Sequence, residues 1–80
     1  MAAVHNLKIL PEYFYDVKNG NKTFEVRKDD RNYRDGDFLM LSEWFNGGYT
    51  GRTVKVLVTY LLRDTEYVKD GFVIMGIRKV

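Results

Sequence analysis

Hydrophobic and polar residues alternate with a period of two along much of this 80-residue chain, and that period is typical of β-strands. The clearest run covers residues 52–62. Its apolar face carries Val54, Val56, Val58, Tyr60 and Leu62, and the other face carries Thr53, Lys55 and Thr59 among others. Four further runs predict strands at residues 5–10, 23–27, 37–44 and 72–77. The pattern therefore predicts a mainly β chain.

One early segment has the spacing of a helix instead. Phe14 and Val17 stand three residues apart, which places them on one helical face. Pro11 suits a first helical turn, where its missing N–H is not needed, and Gly20 is a typical stop. Residues 11–19 are therefore predicted to form one short helix, which must dock on the sheet because so short a helix is unstable alone.

The order of these elements predicts the architecture. A strand, a helix and then four strands follow one another, with turn signals at residues 35–36, 46–48 and 70–71. Closing so few strands toward a barrel removes exposed edges. We expect an α+β, mainly β fold: a small, partly open β-barrel of about five strands with one short helix after the first strand. A single domain over residues 1–80 is expected, because the chain has room for one core.

The apolar faces of these elements predict a shared core. Its expected members are Phe14, Val17, Phe24, Val26, Val54, Val56, Val58 and Ile74. On strand 23–27 this assignment turns Thr23, Glu25 and Arg27 to the opposite face.

Composition narrows the classes of protein and of site. The chain has no cysteine and one histidine, so we expect no disulfide framework, no metal and no cofactor. The sequence has no basic-then-apolar leader and no apolar run long enough to span a bilayer, and we expect a cytoplasmic protein with no membrane partner. The net charge of +2 does not by itself indicate a nucleic-acid partner.

One short segment carries a recognisable motif. Gly20, Lys22, Glu25 and Arg27 match the GxKxxExR pattern of the ASCH domains, which belong to the PUA-like barrels. Further blocks resemble the DUF3850 family at residues 5–14, 22–28, 30–31, 36–37, 49–52 and 71–72. The resemblance implies an open PUA-like barrel with a cleft, and a role in recognising RNA or a nucleotide.

Three residues of this segment are candidates for the cleft. Glu25 and Arg27 are two residues apart on a strand, so they share a face at a spacing of about 7 Å. Arg27 suits a phosphate or a base edge, while Glu25 suits a base amine or the orientation of Arg27. Lys22 suits a phosphate as a point charge. The alternatives are a structural ion pair for Glu25 and Arg27 and a solvated loop residue for Lys22.

Two residues outside the motif complete the predicted site. Arg31 lies in a loop of mixed charge and is a candidate to extend the cleft, the alternative being a solvated loop residue. Tyr49 lies beside a glycine-rich turn, with Trp44 and Phe45 before it, and offers a surface on which an unpaired base can stack. A core role is the alternative for Trp44.

Two classes of function follow. The leading hypothesis is a non-catalytic domain that binds single-stranded RNA or a nucleotide. The alternative is an amidohydrolase acting on acylated cytidine nucleosides, as in some ASCH proteins. Lys22 matches the lysine of those enzymes, but Glu25 stands where they place a reactive threonine. A protein-interaction domain is a third hypothesis, and the sequence specifies no protein partner.

Overall fold

The computed structural model describes residues 2–80, and these form one sheet and one helix. The elements run in the predicted order: β1 Val4–Ile9, α1 Pro11–Lys18, β2 Phe24–Lys28, β3 Phe38–Phe45, β4 Gly48–Leu62 and β5 Phe72–Lys79. The helix begins at Pro11, as predicted, and ends before Gly20. The mainly β class and the position of the helix are therefore confirmed.

The five strands form a mixed sheet in the order β1-β3-β4-β5-β2. β1 is parallel to β3, and every other neighbouring pair is antiparallel. The sheet curls into a half-barrel, with β1 and β2 as its two edges. We call the gap between these edges the seam. It is bridged by side chains, since Arg27 Nη2 donates to the Lys8 carbonyl oxygen at 2.8 Å and Arg31 Nη1 to that of Asn6 at 3.2 Å.

The core lies on the concave face of the sheet, under α1. Phe14 and Val17 of the helix are 1% and 2% exposed. They pack with side chains from β1, β3, β4, β5 and one loop: Leu7, Ile9, Tyr33, Leu39, Leu41, Val54, Val56, Val58, Val73, Met75 and Ile77. Five predicted core residues are thus confirmed, namely the two helical ones and Val54, Val56 and Val58.

The predicted core is wrong on β2 and at Ile74. Phe24 and Val26 are 47% and 51% exposed, and Ile74, which pairs with Val26, is only partly buried on the same convex face. The period of two is right, but the two faces are exchanged. The physical reason is the seam: side chains of β2 that point inward there meet main-chain carbonyl groups of β1, which call for donors such as Arg27.

A bulge changes the phase of β4. The pairing with β5 shifts between Val58 and Tyr60, so Tyr60 is 66% exposed and Leu61 packs against the core instead. The predicted placement of Tyr60 on the apolar face is therefore wrong. Gly76 faces this bulge, and a Cβ atom there would lie 3.1 Å from Thr59 Oγ1.

Candidate functional site

A groove lies at the seam, beside the start of α1. Its volume is about 510 Å³. It is lined by Lys8, Ile9, Leu10, Tyr13, Lys22, Phe24, Glu25, Val26 and Arg27. We call it the seam groove. It contains three of the five residues predicted for the site.

A buried carboxylate joins those three residues. Glu25 is 3% exposed, and it accepts hydrogen bonds from Lys22 Nζ and, at 2.9 Å, from Arg27 Nε. The side chains of Lys22 and Arg27 remain 16% and 23% exposed. The predicted contact between Glu25 and Arg27 is present, and Lys22 joins it to form a charge triad.

Local structure places each member of the charge triad. Glu25 and Arg27 alternate with Phe24 and Val26 along β2, so both point toward the barrel interior. Lys22 stands in the turn between α1 and β2, where its N–H donates to the Asp16 carbonyl oxygen at 2.8 Å. Gly20 has a φ of 84°, which lets the chain reverse there and bring Lys22 over β2.

The charge triad retains hydrogen-bond donors for a ligand. Lys22 uses one of its three N–H donors on Glu25. Arg27 uses Nε on Glu25 and Nη2 on Lys8, and its Nη1 makes no hydrogen bond within residues 2–80. Glu25 is different, because both of its oxygens are engaged below the surface. Glu25 therefore orients Lys22 and Arg27.

The walls of the seam groove are apolar and open to solvent. Leu10, Tyr13, Phe24 and Val26 are each between 45% and 51% exposed. Lys22 Nζ lies 5.4 Å from the ring centroid of Tyr13 and 5.1 Å from that of Phe24, within the range of cation–π attraction. Phe24 was predicted to lie in the core, and Tyr13 was not among the residues predicted for the site. The sequence feature that could have indicated this role of Phe24 is its position two residues after Lys22.

Arg31 lies next to the seam groove but does not line it. It shares a smaller pocket of about 150 Å³ with Arg27. Its guanidinium donates to the Asn6 carbonyl oxygen, two residues along β1 from the acceptor of Arg27. Arg31 thus extends the row of cations along the seam, and its own contact closes the half-barrel.

Tyr49 lies away from the charge triad. It is 62% exposed at the start of β4, and its ring packs edge-on against Trp44 at 4.8 Å between centroids. Lys8 Nζ lies 3.9 Å from the Trp44 ring centroid. The structure therefore gives Tyr49 a place in a surface aromatic pair but not in the seam groove. The aromatic residues that flank the charge triad are Tyr13 and Phe24.

A second buried carboxylate holds the start of β1 in place. Asp37 is 4% exposed and accepts hydrogen bonds from His5 Nε2 at 2.8 Å and from the N–H groups of Ala3 and Arg34 at 3.0 Å. Burial by itself would raise the pKa of this carboxyl. The hydrogen bonds outweigh burial and hold the Asp37 pKa below its ordinary value.

Three further observations bear on the predicted classes of site. Within residues 2–80, no cluster of three or more His, Cys, Asp or Glu residues is arranged to hold a metal ion. The helix in this part of the chain is too short and too polar to cross a membrane. Thr23, the hydroxyl residue nearest to Lys22 in sequence, is exposed and does not line the seam groove.

Comparisons with known proteins identify relatives of this chain and one structure with a similar fold. A protein of Escherichia phage P2, described as an uncharacterized 12.9 kDa protein in the GpA 3' region, is 41% identical over 70 residues, which are 88% of this chain and 64% of that protein. The chain thus spans less than two thirds of that relative. The crystal structure of hypothetical protein PH0355 superposes with a TM-score of 0.67 at 18% identity, covering 96% of this chain and 99% of the other. Residues 4–77 match the pattern of a domain of unknown function, and the chain belongs to that family, DUF3850.

Proposed function

We propose that this chain binds a nucleotide, or a nucleotide-sized piece of single-stranded RNA, in the seam groove. One observation carries the proposal: two cations oriented by a buried carboxylate lie at the base of a groove with exposed aromatic walls. Lys22, Glu25 and Arg27 together carry a net charge of +1, which favours an anionic ligand. An apolar groove with a few converging polar groups is the usual form of a small-ligand site.

Each residue has a role in this proposal. The unused N–H groups of Lys22 and Nη1 of Arg27 donate to phosphate oxygens. Tyr13 and Phe24 are half-exposed and offer ring faces to a base, a contact worth about 1–3 kcal/mol per base. Glu25 holds both cations in place without touching the ligand, because it is buried beneath them at 3% exposure.

The size of the groove limits the ligand. A volume of about 510 Å³ falls within the range of pockets for small molecules and suits one nucleotide, not a long strand. A nucleic acid bound there engages two or three phosphates at most. The slope of log affinity against log salt concentration for a single strand is therefore expected to be shallow, about −1.4 to −2.

A binding screen with matched variants tests the proposal. The ligands are nucleosides, nucleotides and short single-stranded RNAs, with affinity measured by calorimetry or fluorescence anisotropy. Lys22→Gln removes one cation and leaves the contact between Glu25 and Arg27 in place, and it should weaken binding about tenfold. Arg78→Gln is the charge-matched control, because Arg78 is exposed and lines neither the seam groove nor the smaller pocket beside it.

A second pair of variants tests the aromatic walls. Phe24→Ala should weaken the binding of ligands that carry a base and leave the binding of inorganic phosphate unchanged. Tyr67 is 74% exposed and lies outside the seam groove, so Tyr67→Ala should change neither affinity. Equal effects of all four variants would contradict the proposal. Acylated cytidine nucleosides belong in the same screen, since their deacylation, lost in Lys22→Ala, would indicate the amidohydrolase instead.

A further inference from the structure

A second cavity lies on the opposite flank of α1 from the seam groove. Tyr13 and Lys18 diverge to either side of the buried stripe formed by Phe14 and Val17, because successive helical residues are rotated by about 100°. The cavity has a volume of about 290 Å³. It is lined by Phe14, Tyr15, Lys18, Asn19, Arg52 and Lys79, and we call it the basic pocket.

The guanidinium of the basic pocket is held in one orientation. Arg52 donates from Nε and Nη2 to the two oxygens of Glu43, both at 3.0 Å. Glu43 is 3% exposed and also accepts from the Thr50 hydroxyl at 2.6 Å. The hydrogen bonds from Arg52 lower the pKa of Glu43, and Glu43 raises that of Arg52, so both groups stay charged at neutral pH.

Aromatic rings support the same guanidinium from the helix side. The Arg52 Cζ atom lies 5.1 Å from the ring centroid of Phe14 and 5.4 Å from that of Tyr15. An arginine held between a carboxylate and two rings loses little conformational entropy when it binds a ligand. Glu43 engages Nε and Nη2 and leaves Nη1 directed away from it, while the Tyr15 hydroxyl is the other side-chain oxygen close to the guanidinium.

The charge balance favours an anion. Lys18, Arg52 and Lys79 contribute three positive charges to the lining, and no acidic side chain lines it. Glu43, beneath Arg52, removes one charge. The C-terminal end of the helix carries a partial negative charge of about half a unit at most, which disfavours an anion. Lys79 Nζ offsets part of this charge, because it donates to the Lys18 carbonyl oxygen at 2.6 Å. A clear positive excess remains.

We propose that the basic pocket is a binding site for a phosphate group, separate from the seam groove. Arg52 supplies a donor held in one orientation, and Lys18 and Lys79 supply further ammonium donors from the lining. The phosphate comes either from a free phosphate ion or from the backbone of a nucleic acid that also reaches the seam groove. The site does not depend on the proposed function, because its residues and those of the seam groove are different.

Titration of the isotope-labelled protein with inorganic phosphate tests this site. Saturable shifts are expected at the Arg52 Nε–H signal and at the amides of Lys18 and Asn19. Lys79→Gln and Lys18→Gln should each weaken phosphate binding about tenfold. Arg78→Gln removes the same charge from the neighbouring residue and should leave the affinity unchanged. Neither test variant removes the partner of the buried Glu43, so both should fold.

Two further arms separate this proposal from the seam groove. Tyr13→Ala alters only the seam groove and should leave phosphate binding at the basic pocket intact. A short single-stranded RNA should shift the basic-pocket signals more than phosphate does if its backbone is the source, and no more than phosphate if the free ion is. Shifts that never saturate, or equal weakening by Lys79→Gln and Arg78→Gln, would overturn the proposal.

Discussion

Arg27 Nε donates to Glu25 Oε2 at 2.9 Å, and both side chains face the interior of the half-barrel at its open seam. The same guanidinium reaches across the seam to the Lys8 carbonyl oxygen. Arg27 therefore connects β1 and β2, which share no backbone pairing, and forms part of the base of the candidate site. Arg27 thus contributes both to closing the barrel, together with Arg31, and to presenting a cation in the candidate site.

Removing Glu25 should destabilise the fold more than removing it together with Arg27. Glu25→Ala leaves two partly shielded cations without their counter-charge, and we expect a loss of about 2–3 kcal/mol in the free energy of unfolding, below the 3–5 kcal/mol of a fully buried pair. The double variant Glu25→Ala with Arg27→Ala should recover at least about 1 kcal/mol of that loss. Urea denaturation of the four proteins in the cycle measures this coupling, and additive effects would mean that the contact is solvated.

Phe24 should matter for binding and little for stability. Its ring is 47% exposed on the convex face, so Phe24→Ala should lower the free energy of unfolding by less than about 1 kcal/mol. Phe14, which is 1% exposed, is the matched control, and Phe14→Ala should cost about 3–5 kcal/mol. Thermal denaturation separates the two. If Phe24→Ala lowered the free energy of unfolding as much as Phe14→Ala does, Phe24 would have to be a core residue.

Asp37 should make the fold sensitive to acid. Its pKa is lower in the folded protein than its ordinary value, so its stabilising effect is complete above the unfolded pKa and is lost as the pH falls through the folded one. At neutral pH, Asp37→Asn should be less stable than the wild type by about 1–3 kcal/mol. Below about pH 4 the difference should shrink. Denaturation at several pH values checks this, and a difference that is constant with pH would show that the charge of Asp37 contributes nothing.

Local signals in the sequence predicted most of the fold correctly. Pro11 and Gly20 bracket a helix whose buried face is Phe14 and Val17, and the alternation from Val54 to Val58 is the centre of the observed core. These elements follow simple rules because each has one face toward the core and one toward water. The turn residues between these elements were sufficient to predict the order of the strands along the chain.

The errors arise where long-range geometry decides. Phe24 and Val26 alternate with Glu25 and Arg27, and only the position of β2 at the seam determines which pair faces inward. Tyr60 is exposed because of a bulge that depends on its pairing with Gly76.

The residues of the candidate site also fall into a part that the sequence predicts and a part that it does not. Lys22, Glu25 and Arg27 belong to one short segment, so their convergence was predictable. Tyr13 joins them from the helix, and no spacing in the sequence relates it to Phe24. Tyr49 lies on a different strand, where it pairs with Trp44.

The most direct test of the proposed binding site is a titration of the isotope-labelled protein with mononucleotides and short single-stranded RNAs, followed by NMR. We expect saturable shifts at residues 20–28 and at Tyr13, with smaller shifts for Lys22→Gln at the same ligand concentration. Arg78→Gln should titrate like the wild type. The absence of shifts at residues 20–28 at millimolar ligand would contradict the proposed function.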